Sequence, residues 1–169
     1  GIRAAKVEKY DEEYDVVIIG SGFAGMACAL KAGRAGKKVL MLEKMPVVGG
    51  NSAICGGNVA CPVNPVQKAQ GIKDSRELFI ADCLKDGLGL NHVELLSKIV
   101  DRCNDTIKFV EDCGAEFVPN HMLFEGGHSV PRSYEIKAGT GSGYIHPMYD
   151  QIKKLSNVTV KTRAKFDDF

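Results

Sequence analysis

The sequence contains no stretch of about 18 apolar residues, so no transmembrane helix is expected. Residues 1 to 14 are polar and charged and lack the apolar run of a signal peptide, although a signal removed ahead of Gly1 stays open. Excess charge of either sign is missing, with 22 Lys plus Arg against 21 Asp plus Glu. That balance argues against a nucleic-acid binder held by a basic face and against an acidic tail. No Cys-x-x-Cys occurs, which excludes a zinc ribbon, a thioredoxin motif and a Cys-x-x-Cys-His haem attachment site in these residues. The histidines, His92, His121, His128 and His146, form no His-x-x-x-His pair, so no metal site is expected.

What is present is an ordinary globular composition of 44% hydrophobic and 25% charged residues over 169 positions, the length of about one domain. Glycine is in excess, 19 where average usage gives about twelve. Six cysteines are too few for a disulfide scaffold in a chain of this length. Cys28, Cys103 and Cys113 stand among apolar residues at helical spacing and are expected in the core as small hydrophobes.

Val16 to Ile19 form an unbroken β-branched run, as in a strand buried on both faces. Phe23 to Ala35 reads as a helix, with Gly33 a tolerated weak point and Gly36 a left-handed stop. Val39 to Glu43 is a second strand. Strand, helix and strand within about thirty residues make a βαβ unit with a right-handed crossover. Met45 to Pro65 reads as one long loop, and long ordered loops are usually functional. Asp74 to Glu77 resembles a capping box opening a helix to about Asp86, and Asn91 to Glu94 opens another. Leu96, Ile99, Val100, Cys103, Ile107 and Val110 define its buried face, and Gly114 its stop. Phe124 to Gly143 is a second Gly-rich loop, Tyr144 to Leu155 a helix, and Asn157 to Arg163 a short strand.

Gly20-Ser-Gly22-Phe-Ala-Gly25 fits G-x-G-x-x-G between the first strand and the helix. Gly20 permits the tight turn, Gly22 lets backbone approach a pyrophosphate, and Gly25 lets the helix pack close to the strand. The helix N-terminus offers free N–H groups and a positive dipole end to an anion. Glu43, at the end of the second strand, can accept hydrogen bonds from adenosine ribose hydroxyls and would repel a 2′-phosphate, which disfavours NADP. The fingerprint does not choose between NAD and FAD. The inserted loop after Glu43 does: Gly49, Gly50, Gly56 and Gly57 offer bare backbone and Asn51 and Ser52 short polar groups, enough to follow the larger cofactor.

Tyr14 to Gly57, and above all EKMPVVGGNSAICGG, resembles the FAD-binding N-terminal segment of the fumarate reductase and succinate dehydrogenase flavoprotein family. The likeness is nearest to its soluble flavocytochrome c branch. It continues at Asp74 to Leu78, Gly114 to Glu116, Gly126 to Arg132 and Gly139 to Gly143, and covers the chain to about Lys161. The resemblance implies that Gly20, Gly22, Ala24 and Gly25 hold the FAD pyrophosphate. It implies that Glu43 binds the adenosine ribose with Lys44 beside it, and that Gly50, Asn51 and Ser52 follow the pyrophosphate and ribityl chain. Gly56 and Gly57 would approach the isoalloxazine ring, with Gly57 near the substrate. Membrane-bound members attach FAD through a histidine in this loop. The loop here has none, so non-covalent FAD is implied. For His128 and Arg132, in the second Gly-rich loop, a salt bridge between segments suffices, and neither is assigned a catalytic role.

The fold class expected is therefore α/β, a Rossmann-like FAD/NAD(P)-binding parallel sheet, incomplete because the chain reads as truncated. Residues 1–13 would be an N-terminal extension and 14–169 the N-terminal part of an FAD domain, with the cap domain and later FAD-domain residues beyond Phe169. The activity implied is reduction of an α,β-unsaturated carboxylate such as fumarate by hydride from flavin N5. The chain alone, lacking the substrate-holding arginines and histidines of the family, would be inactive and contributes no catalytic residue. Alternatives are a sibling urocanate, methacrylate or ketosteroid oxidoreductase, or a non-catalytic dinucleotide-binding module. The implied partners are an unsaturated dicarboxylate-type substrate, a c-type cytochrome electron donor and the rest of the polypeptide. Haem c would belong to a partner or missing module, and no nucleic acid or membrane insertion is implied. The resemblance implies a periplasmic location, and unpaired thiols leave the cytoplasm open.

Overall fold

The computed structural model describes residues 9–168, so residues 1–8 of the expected extension and Phe169 lie outside the described residues. The chain divides into two compact units, one running through Ala53 and resuming at Ile145, the other comprising Ile54–Tyr144.

The first unit is a parallel sheet with β1 (Val16–Ile19), β2 (Val39–Leu42) and β5 (Val158–Lys161) in the order β1-β2-β5. Val16 pairs with Val39, and Val39 with Val158. Helix α1 (Phe23–Arg34) connects β1 to β2 and packs on both, burying Met26, Ala29 and Leu30. This is the expected βαβ unit. Its strand β1 is buried on one face only, however. Ile18 is enclosed under α1, whereas Val17 and Ile19 are 54% and 52% exposed. Successive residues of a strand point to opposite faces, so a continuous apolar run has an open face unless a second layer covers it.

Two other expectations about α1 need correction. Gly33 is not a mere weak point. A Cβ there would stand 2.5 Å from Val158 and 2.9 Å from Leu155, so its bareness lets α1 lie against the segment leading into β5. Cys28 is exposed on the outer side of α1, while Cys103 and Cys113 are buried as expected.

The second unit replaces the two expected loops with short ordered elements. Within 45–65 lie α2 (Asn51–Ile54), which crosses from the first unit, and β3 (Val59–Ala60). Strand β4 (Ser133–Tyr134) lies within the second Gly-rich segment and pairs antiparallel with β3. Helix α3 (Pro65–Ala69) follows, and the true capping box is here. Asn64 accepts from the Gln67 amide, and the Gln67 side chain accepts from the Asn64 amide. Helix α4 (Arg76–Asp86) has Ser75 as N-cap, accepting from the Leu78 amide. Glu77 is one position short of the third helical residue, so the expected box does not close there.

Helix α5 (Val93–Cys113) buries Val100, Cys103, Ile107 and Cys113 and ends at left-handed Gly114. Ile99, expected on that face, is 63% exposed. Cys61, Phe79, Met122 and Tyr134 complete the core of this unit. Helix α6 (Ser142–Lys153) begins two residues before its expected start.

The expected salt bridge of Arg132 is a fully buried ion network. The guanidinium donates twice to Asp74, from Nε at 2.9 Å and Nη2 at 2.8 Å, and from Nη1 to Asp82 at 2.5 Å. Ser129 donates to Asp82 through its amide and hydroxyl, and Gln67 donates to Asp74 and to the Pro131 carbonyl. The Arg132 guanidinium lies over the Phe79 ring, and His128 Nδ1 is 3.3 Å from it. A buried arginine is tolerated because each of its three nitrogens donates to a carboxylate.

Burial pushes the Asp82 carboxyl up. Hydrogen bonds from Ser129 and Arg132, with the arginine's charge, outweigh that and bring it down to about 2 from an ordinary 3.8. Asp74 is also buried, yet is held below its ordinary value by Arg132, Gln67 and the Ser75 amide. Carboxylates whose values are depressed on folding stabilise the fold above the unfolded value and lose that contribution as pH falls through the folded one. Replacing Arg132 by Met strands two buried carboxylates and should lower stability by about 3–5 kcal/mol in urea denaturation at neutral pH. Wild-type stability should fall between pH 3.8 and about 2. The fall should be shallower in Arg132→Met, where Asp82 keeps only the Ser129 hydrogen bonds and Asp74 only those of Gln67 and the Ser75 amide.

Candidate functional site

The fingerprint glycines form the turn between β1 and α1 in the first unit. Gly20 has φ +93° and its amide donates to the Leu42 carbonyl at 2.8 Å, tying the turn to the end of β2. A Cβ on Gly25 would stand 2.0 Å from the Gly20 carbonyl oxygen, so α1 starts where it does only because residue 25 has no side chain. Gly22 is the N-cap, with no side-chain cap, and the first turn of α1 carries no acidic residue. An N-terminus built this way keeps its positive end for an anion.

Glu43 follows directly on β2 and is buried, 5% exposed. Its Oε2 accepts from the Ser21 amide at 3.1 Å and from the Ser21 hydroxyl, and its Oε1 accepts from the Met45 amide at 2.8 Å. Burial pushes its carboxyl up. The Ser21 hydroxyl, the Met45 and Ser21 amides and the Lys44 charge prevail and hold it below the ordinary carboxylate value. The charge is retained because donors replace the lost water. The same Ser21 hydroxyl accepts from the Gly49 amide at 2.9 Å.

The loop after β2 thus returns to the turn. Ser52 makes a second link, its Oγ accepting from the Phe23 amide at 3.2 Å and lying 3.0 Å from where a Gly22 Cβ would stand. The first turn of α1, the buried carboxylate and the loop 49–52 therefore meet at the carboxyl end of the sheet, where open α/β sheets bind ligands. Gly50 and Asn51 are exposed beside this meeting point, and nothing lies within 4 Å of a Gly50 Cβ. Ala24 and Lys44 are exposed next to Gly25 and Glu43 in the chain. Ser21 was missed as a site residue because the fingerprint leaves its position open; a hydroxyl beside two turn glycines was the available signal.

Gly56 and Gly57 belong to the second unit. Gly57, with φ +76°, is buried, and a Cβ there would strike Ile136 at 2.6 Å and the Thr140–Gly141 backbone at 2.9 to 3.0 Å. The Tyr144 hydroxyl donates to the Gly57 carbonyl at 2.6 Å and the Gly141 amide to the Cys55 carbonyl at 2.8 Å. Packing within this unit alone therefore requires glycine at 57. Gly56 is different: it is exposed, with nothing within 4 Å of a Cβ.

Among the described residues, no cluster of three or more His, Cys, Asp and Glu is arranged to hold a metal ion, and no helix is long and apolar enough to cross a membrane. None of the six cysteines is joined in a disulfide.

Comparison with known proteins finds relatives over most of the chain. The family model described as FAD binding domain matches residues 15–169. The acrylate reductase flavoprotein subunit of Shewanella woodyi is 43% identical over 162 residues, covering 95% of this chain and 32% of that protein. The urocanate reductase of Eggerthella lenta is 35% identical over 156 residues, covering 92% of this chain and 26% of that protein. The open conformation of a flavocytochrome c3 fumarate reductase superposes with a TM-score of 0.82 at 28% identity, over 90% of this chain and 27% of that one. The chain thus spans roughly a quarter to a third of these relatives.

The two kinds of glycine separate in a stability measurement. Gly25→Ala and Gly57→Ala should each destabilise the protein by about 3 kcal/mol or more, because the added methyl meets backbone. Gly56→Ala should stay within about 0.5 kcal/mol of wild type. Thermal and urea melts of the three variants check this.

Proposed function

The chain belongs to the FAD binding domain family, and from that premise we propose that it is the FAD-binding part of a flavoprotein reductase acting on an α,β-unsaturated carboxylate. Its fold is the Rossmann-like FAD-binding fold of the fumarate reductase flavoproteins, and its relatives are acrylate, urocanate and fumarate reductases. The observation that carries the proposal is the buried, ionised Glu43 set beside a helix N-terminus that has no acidic residue in its first turn, and linked to it through Ser21. One end suits a ribose diol and the other a pyrophosphate, the two polar features of an adenine dinucleotide.

In this reading Gly20, Gly22, Ala24 and Gly25 hold the pyrophosphate against the first turn of α1. Glu43 takes the adenosine ribose hydroxyls, with Lys44 adjacent. Gly50, Asn51 and Ser52 follow the pyrophosphate and ribityl chain. Gly56 and Gly57 serve the flavin ring, although Gly57 already has a packing reason to be glycine. Non-covalent FAD fits a loop without histidine. When bound and reduced, FAD supplies a hydride to the β-carbon of the unsaturated acid.

Residues 14–169 would be the N-terminal part of the FAD domain. The donor would be a c-type cytochrome, with haem c in a partner or another module, and the location periplasmic. Relatives named as urocanate and acrylate reductases make the choice among unsaturated acids part of the proposal.

The visible spectrum of the purified protein tests the cofactor directly. Flavin bands, with the colour passing into the filtrate after denaturation, are expected. A protein that neither carries nor takes up FAD overturns the reading. Glu43→Gln should weaken FAD binding by about tenfold to a hundredfold, the scale of one hydrogen bond to a charged group, with the fold intact by circular dichroism.

A further inference from the structure

Ser21 occupies the first variable position of the glycine fingerprint, for which the dinucleotide motif specifies no side chain. Here the side chain is fully buried and its hydroxyl is used twice. It donates to Glu43 Oε2 and accepts from the Gly49 amide at 2.9 Å. The Ser21 backbone amide donates to the same carboxylate oxygen at 3.1 Å. A hydroxyl has one proton to give and lone pairs to receive, so one serine satisfies a buried carboxylate and a buried amide together.

We propose that Ser21 is a positioning residue for the cofactor's adenosine ribose: its hydroxyl, bridging Glu43 and the Gly49 amide, fixes the carboxylate in the orientation in which the ribose hydroxyls meet it. This rests on Glu43 being the ribose acceptor. A carboxylate has about four acceptor positions. Ser21 fills two and the Met45 amide a third, which leaves Glu43 little freedom and one acceptor position unfilled by these groups.

The charged groups on the segments packed against Glu43 are few. Lys44 is its chain neighbour. Lys161 of β5, whose carbonyl accepts from the Glu43 amide, is paired through its ammonium with Glu12. Arg163 contributes its backbone amide to the Met45 carbonyl. Hydrogen bonds from Ser21 and Met45, rather than a contacting cation, therefore keep Glu43 ionised.

The test is a carbon-13 NMR titration of the Glu43 carboxyl in wild type and Ser21→Ala, followed by FAD affinity in both, in Glu43→Gln and in the double variant. The Glu43 midpoint should rise by about one pH unit in Ser21→Ala, a tenfold change in its ionisation constant. FAD binding at neutral pH should weaken by about tenfold in Ser21→Ala, and the serine's effect should vanish in the Glu43→Gln background. An unmoved midpoint, or an equal loss in the Glu43→Gln background, overturns the proposal. If Ser21→Ala fails to fold, Ser21→Cys, which keeps the branching pattern of the side chain in a somewhat larger volume but donates weakly, is read in the same way. Wild type that takes up no FAD defeats the functional reading, while the titration still decides whether Ser21 governs Glu43.

Discussion

A charge taken out of water must be met by donors, and the first unit is organised around meeting one. Glu43 comes to rest where β2 ends, and its three donors come from the turn after β1 and from the residues just beyond β2. Remove the carboxylate and the Ser21 hydroxyl has lost its acceptor. Remove the hydroxyl and the Gly49 amide has lost its own. The strand end, the glycine turn and the return of the following loop are thus one hydrogen-bonded system. Every donor and acceptor in that system is a group of the protein itself.

Glycine does different things along this chain. At 25, 33 and 57 a side chain would collide with neighbouring atoms, so the residue is fixed by packing whatever binds nearby. At 50 and 56 the space is open, so packing gives no reason for the missing side chain; at 50 the left-handed backbone, φ +51°, gives one instead. The motif as written in the sequence does not make this distinction, because it records spacing and not what surrounds each residue.

The βαβ unit, its glycine turn and the strand-end carboxylate were legible because each rests on local pattern: a β-branched run, a spaced glycine triplet, an acid at a fixed distance. The third strand was also found, from alternation in Val158, Val160 and Thr162. What stayed hidden depended on distant partners. Strands β3 and β4 are two residues each and pair with each other across more than seventy positions of sequence. The capping box at Asn64 was concealed within an apparent loop, and its look-alike at Ser75 lacks a Glu or Gln at the right offset. Exposure of Val17, Ile19 and Ile99 could not be read from composition, since an apolar pattern states a preference for burial and not the presence of a cover.

The first unit is discontinuous in the chain, and that has a bearing on biosynthesis. Asn157 reaches back across 124 positions to donate to the Gly33 carbonyl, and β5 pairs with β2 over a similar span. A ribosome releasing the chain from its N-terminus therefore exposes β1, α1 and β2 well before their third strand exists. Until then β2 presents an open edge and the nascent sheet is two strands wide. The intervening segment, Ile54–Tyr144, has its own core and can close during that interval. Within this chain the order of synthesis lets the inserted unit close before β5 arrives to complete the sheet that carries the glycine turn.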